Sequence, residues 1–331
     1  MQPKYTKLIA AIGVALSAVA AAPVHAGALA MSDLNITALY LSDPAGNPIA
    51  ANAAITIISE SRTLSNSANY NGVSGVGSGS NSVFSNAALD RPAVCAGPAC
   101  GTIAGSLYGG SIENNTTTHI SGPATANYGL GDAYISGSAI GGVGPSSISG
   151  LTRSDAQATG PTNSGGSAAN LLNSATLGST FVANQTFSGN ITVEGNAFFA
   201  VWVNTVLNEV NRASATMQWS LTLTCDGDGN GDFSGCANFN NGTADAFLFQ
   251  PSKFNYNRTS TRDSTNFQTS YNGLQTSGTS LNFLGGLQYS LTVGQNTLAN
   301  VSSVPEPASL ALVGLAIAGL GFAGRRRAAK Q

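Results

Sequence analysis

Nine residues from Met217 to Cys225 limit this chain more than any other stretch. Met217, Trp219, Leu221, Leu223 and Cys225 alternate with Gln218, Ser220, Thr222 and Thr224. A period of two puts every apolar residue on one face of a strand, whereas a helix would scatter them around its axis. Leu287–Val293 repeats the alternation, and Ala246–Phe249 and Phe198–Val203 supply two more apolar runs. Phe198–Val210 could also be written as a helix, but its Val, Trp, Thr and Phe content favours a strand. Ile55–Ile58 follows the turn signals Asp43-Pro44 and Asn47-Pro48 and reads as a further strand. Outside the two termini no long helical periodicity is present. The pattern predicts a mainly β chain, an antiparallel β-sandwich of jelly-roll type with Gly/Ser/Asn-rich loops.

Composition decides how the rest of the chain is read. Gly, Ser, Asn and Thr fill 139 of 331 positions, while charged residues make up 8%, against about 25% in an ordinary soluble domain. With a net charge of only −2, disorder driven by charge repulsion is excluded. Residues 61–180 concentrate the bias, as in Gly72–Asn81, and offer few long apolar runs. That zone is low-complexity and loop-rich, either flexible or built of short strands on long loops.

The two ends carry addresses. Lys4 and Lys7 precede an uncharged apolar run from Leu8 to Ala22, and Val24-His25-Ala26 places small residues at −3 and −1 of a cleavage site. Residues 1–26 therefore read as a secretory signal removed after Ala26, with Ala28-Leu29-Ala30 as a second site that would cut after Ala30. At the other end Ala308–Gly324 is an uncharged apolar run of 17 residues, followed at once by Arg325, Arg326 and Arg327. A helix of that length approaches a bilayer span, and the arginines would hold its end in the cytoplasm. The same run matches the dinucleotide fingerprint at Gly319–Gly324, but only seven residues follow. No second strand and no ribose-binding acid can be accommodated, so a nucleotide site is excluded.

Between the termini, residues 31–304 hold 14 acidic and 7 basic side chains, a net charge of −7. Nucleic-acid binding needs clustered Lys and Arg and is not expected. Neither is a polybasic patch for a membrane surface.

Val304, Pro305, Glu306 and Pro307, then the apolar span 308–324, then Arg325–Arg327, resemble the PEP-CTERM sorting signal of Gram-negative exopolysaccharide producers. The resemblance covers residues 304–328 at most. It implies export through the inner membrane, brief retention by the C-terminal helix, and removal of the tail by an exosortase-type enzyme after a signal peptidase has acted on the other end. The final location would be the cell surface or the extracellular space, with exopolysaccharide as a neighbour. Pro305 and Pro307 restrict themselves and their predecessors to extended backbone, which predicts an accessible segment outside regular structure for the processing enzyme.

Little side-chain chemistry remains for residues 27–303. Four cysteines in an exported chain read as two disulfides, and spacing favours Cys95 with Cys100 and Cys225 with Cys236. Asp226, Asp228, Asn230 and Asp232 follow the first half of a calcium loop, D-x-D-x-N-G, in which alternate oxygens converge on a hard cation. The bidentate Glu of a complete loop is replaced by Ala237, which leaves a plain polar hairpin as the competing reading. His119 lies in a polar run, and no G-x-S-x-G nucleophile elbow accompanies it. Glu194 and Glu209 are the acids flanking one strand segment that a glycosidase pair would use. A non-enzymatic surface or matrix protein is the expectation, with a carbohydrate-binding or carbohydrate-cleaving module as the alternative.

Overall fold

The computed structural model describes residues 27–50, 54–81, 89–102, 127–137, 148–159, 164–170, 177–203, 209–240, 246–261 and 266–305. Their strands make two antiparallel sheets. The first runs β13 (Phe267–Thr276), β9 (Phe187–Val203), β1 (Gly27–Ser42), β6 (Ile148–Thr159), β5 (Tyr128–Gly137) and β4 (Leu89–Ala96), with β14 (Leu281–Phe283) also on β9. The second runs β11 (Ala246–Phe249), β10 (Glu209–Gly227), β15 (Gln288–Pro305), β7 (Ser164–Asn170), β2 (Ile55–Tyr70) and β3 (Val73–Asn81). In that sheet β12 (Tyr256–Thr261) shares one edge of β10 with β11, and β8 (Leu177–Ala183) pairs with both β15 and β2.

One core joins the sheets. Leu34, Ile36, Phe199 and Val201 from the first pack into the same buried cluster as Leu64, Met217, Trp219, Leu221 and Leu291 from the second. The alternation in β10 appears as expected: Met217, Trp219, Leu221, Leu223 and Cys225 are all buried, whereas Gln218 is exposed and Ser220, Thr222 and Thr224 are half-buried. Trp219 takes edge-on contacts from Phe249 and Phe254 at centroid distances of 5.9 and 6.5 Å, an arrangement that aromatic quadrupoles favour.

Polar side chains also tie the sheets together. Gln295 on β15 donates from Nε2 to the carbonyls of Leu34 and Gly150 and to Thr152 Oγ1, at 2.7, 3.2 and 2.9 Å. Ser32 Oγ donates to the Thr216 carbonyl at 2.9 Å, and Ser154 Oγ reaches the Thr297 carbonyl at 3.0 Å. Some of the abundant hydroxyls and amides are thus spent inside the protein, where buried polar groups need partners.

The structure goes beyond the sequence reading at three points. Two central strands of the first sheet are not half-buried: β1 is buried at nearly every position from Gly27 to Leu41, and β6 from Gly150 to Ala158, whereas the edge strand β13 alternates. Alternation cannot announce such strands, because neither face is left to be polar for water's sake. Within β1 an irregularity between Ile36 and Ala38 extrudes Thr37 into solvent, so the core-facing set switches from Leu34 and Ile36 to Leu39 and Leu41. The zone 61–180 contains β3 to β7, most of β2 and the start of β8, which decides for short strands in its described parts. Val304 and Pro305, expected outside regular structure, are the last rungs of β15, opposite Val210 and Glu209. Pro305 can occupy that place because a terminal rung tolerates a residue without an N–H.

The secretory segment 1–26 and the apolar segment 308–324 lie outside the described residues. Among the described residues no helix is long and apolar enough to cross a membrane.

Candidate functional site

Both disulfides form with the expected pairing, Cys95 with Cys100 and Cys225 with Cys236. The first staples a loop that packs on Tyr128 and Leu130 of β5. The second closes the Asp-rich loop at the end of β10, with a 3₁₀ turn at Ser234–Asn238 carrying Cys236 back under it. Replacing both Cys225 and Cys236 by alanine is expected to cost about 2–3 kcal/mol, the loop entropy released to the unfolded chain. Urea unfolding of the double variant measures it, and an unchanged midpoint would contradict the entropic role.

The Asp-rich loop is organised by its own backbone. Asp228 Oδ1 accepts from the amides of Asn230 and Asp232 at 2.8 and 3.1 Å, and Asp232 Oδ1 accepts from the Ser234 amide at 2.8 Å. Those amides, Asn230 first, hold the Asp228 carboxyl below the usual carboxylate range. Asp226 takes hydroxyl donors from Thr224 and, across the ladder, from Ser290. Gly227 has φ of 82°, and a Cβ there would stand 2.3 Å from the Asp232 carbonyl, so only glycine fits. Among the described residues no three His, Cys, Asp or Glu side chains gather in an arrangement that could hold a metal ion.

The two acids weighed as a catalytic pair stand on different sheets. Glu194 sits within β9, between Ala38 and Leu274, while Glu209 opens β10 opposite Pro305. Glu194 raises the Tyr40 phenol above its ordinary range, second to burial. His119 lies outside the described residues.

A third site was not visible in the sequence. On the face of the first sheet turned away from the shared core, two rungs cross β1, β9 and β13. One aligns Asp33, Phe198 and Ser270; the other aligns Asn35, Asn196 and Asn272. Together with Ala197 and Tyr271 these residues line a cleft of about 220 Å³. Ser270 and Asn272 are exposed, whereas Asp33 is 5% exposed and Phe198 is equally buried. Among the described residues none hydrogen-bonds Oδ1 of Asp33. The neighbouring Arg153, opposite it in register, directs Nε and one Nη to Oδ2 of Asp155, each at 2.9 Å. Burial raises the Asp33 carboxyl to about 8; Arg153 opposes the rise, while Asp155 and Asp132 add to it. At neutral pH Asp33 is therefore mostly a neutral acid, able to donate as well as accept. The residues come from positions 33–35, 196–198 and 270–272, and no local motif links them.

The sorting tail joins this architecture without a spacer. β15 is a central strand of the second sheet, paired along one side with β10 through Pro305 and along the other with β7 as far as Ser302. Glu306, Pro307 and Arg325–Arg327 lie outside the described residues. Neither a curated protein nor a solved structure matches the chain. One family model does match, that of the PEP-CTERM protein-sorting motif, at residues 303–327. The match begins two residues before the last paired position of β15. The chain thus carries a PEP-CTERM sorting motif at its C-terminus, which marks a secreted protein directed to the cell envelope and processed by an exosortase-type enzyme.

Proposed function

We propose that this protein is a non-enzymatic component of the cell surface or extracellular matrix, a jelly-roll-type β-sandwich exported with a cleaved signal and freed from its C-terminal helix at the sorting motif. The observation that carries the reading is the sorting motif itself, contiguous with a core strand. A net charge of −7 on residues 31–304 with abundant neutral hydroxyls and amides suits contact with hydrated polysaccharide.

Processing should respect the fold. β15 loses rungs if the chain is cut anywhere before Glu306, so the mature C-terminus is expected at or beyond Pro305. Mass spectrometry of the protein recovered from the cell surface reports it directly. Replacing Arg325, Arg326 and Arg327 by glutamine is expected to leave the tail uncut and the protein in the membrane fraction. Wild-type protein found full-length in the cytoplasm would overturn the proposal.

A further inference from the structure

We infer that the cleft crossed by β1, β9 and β13 is a binding site for one uncharged, hydroxyl-bearing ring, a single sugar residue of a neutral polysaccharide. The inference rests on the proposed contact with polysaccharide and gives that contact a place.

The lining has the matching chemistry. Asn35, Asn196 and Asn272 form one rung, and each amide offers two donors and an acceptor. Ser270 adds a hydroxyl at the open side, and Asp33 adds a carboxyl at the closed side whose Oδ1 no described residue satisfies. A buried polar atom without a partner is costly, and native interiors leave few of them. A ligand hydroxyl in the cleft would complete Asp33. Phe198 lines the same space from within its buried cluster and gives the cleft an apolar margin.

Charge and size narrow the class. Asp132 and Asp155 accompany Asp33 on this face against one guanidinium, Arg153, so an anionic ring meets repulsion. A divalent cation such as calcium wants six to eight oxygens, commonly several of them carboxylate. Among the described residues Asp33 is the one acidic side chain lining the cleft. The volume of about 220 Å³ is below the about 300–1,000 Å³ of drug-sized sites, which suits one ring held at an open corner of the sheet.

The test is calorimetric titration of the processed protein with the methyl glycosides of glucose, galactose, mannose and N-acetylglucosamine, and separately with glucuronate and calcium chloride. At least one neutral glycoside is expected to bind saturably with a millimolar Kd. Ser270→Trp, at an exposed position on the edge strand, should fill the cleft and abolish binding while the melting temperature stays unchanged. Asn272→Ala should weaken binding about fivefold, the loss of one neutral hydrogen bond. Absence of binding by every neutral glycoside, or binding that survives Ser270→Trp, would overturn the site. So would glucuronate or calcium binding that Ser270→Trp removes. Failure of the cleft alongside a correctly trimmed tail would leave the export and sorting reading standing, because mass spectrometry reads that independently.

Discussion

A chain that begins at Met31 is expected to be less stable than one that begins at Gly27 by about 3–5 kcal/mol. Residues 27–30 are the first four positions of β1, which lies between β6 and β9. Gly27 to Ala30 pair with Thr159 to Ala156 on one side, and Ala28 to Ala30 pair with Val203 to Val201 on the other. Ala28, Leu29 and Ala30 are fully buried. Ordering four residues costs about 1–2 kcal/mol each in backbone entropy, which roughly offsets the net gain from their ladder hydrogen bonds. The hydrophobic term then decides: about 2–3 kcal/mol for Leu29 and about 1–2 kcal/mol for the two alanines together. Truncation also leaves backbone groups of the flanking strands unpaired. Urea unfolding of chains 27–305 and 31–305 measures the difference, and equal midpoints would refute it. The same packing favours the first of the two cleavage sites proposed for the signal. Cleavage after Ala26 leaves β1 whole, so the mature N-terminus is expected to be Gly27; a mass corresponding to Met31 would show that the cell discards buried strand.

Asp33 should make the protein lose stability as pH rises from about 4 to about 8, and Asp33→Asn should remove that loss. The folded carboxyl titrates near 8 and the unfolded one near 3.8. Between those values the unfolded chain has released the proton and the folded chain retains it, so stability falls with pH. The effect is absent below about 4 and complete above about 8, with an upper bound of about 6 kcal/mol at about 1.4 kcal/mol per pH unit. Arg153, Asp155 and Asp132 face the carboxyl and remain in the variant, so the difference between the two proteins isolates Asp33. At about 2–4 °C per kcal/mol, the variant is expected to melt about 10 °C above wild type at pH 8 relative to their difference at pH 4. A difference that stays flat across this range would show that Asp33 ionises like a solvated carboxylate.

Parts of the molecule were legible residue by residue. Alternation from Met217 to Cys225 predicts the core strand of the second sheet because one of its faces is apolar and the other is not. Cys225 and Cys236 are close enough in sequence to be joined by a hairpin, and the structure joins them. By contrast, β1 carries Ser32, Asp33 and Asn35 among its apolar residues and is buried on both faces. A buried Asp33 reads as a surface residue until Arg153 and Asp155 are seen beside it. The Asp-rich loop has calcium spacing, yet Asp228 and Asp232 accept from backbone amides of the loop, a use of the carboxylates that spacing cannot distinguish from metal binding. Nothing local connects Asn35, Asn196 and Asn272.

What the sequence by itself determined is the destination of this protein and the class of its structure. A signal for sorting is read from a linear segment, and a strand announces itself by a period of two, so both are properties of neighbours along the chain. Register was decided only by the tertiary structure. Which residue of β1 lies opposite which residue of β9 and β13 depends on packing summed over whole strands, including the irregularity at Thr37. That register places one carboxyl and three amides on two neighbouring rungs of one face, while the pairing of β15 with β10 carries that strand into the first residues of the sorting motif.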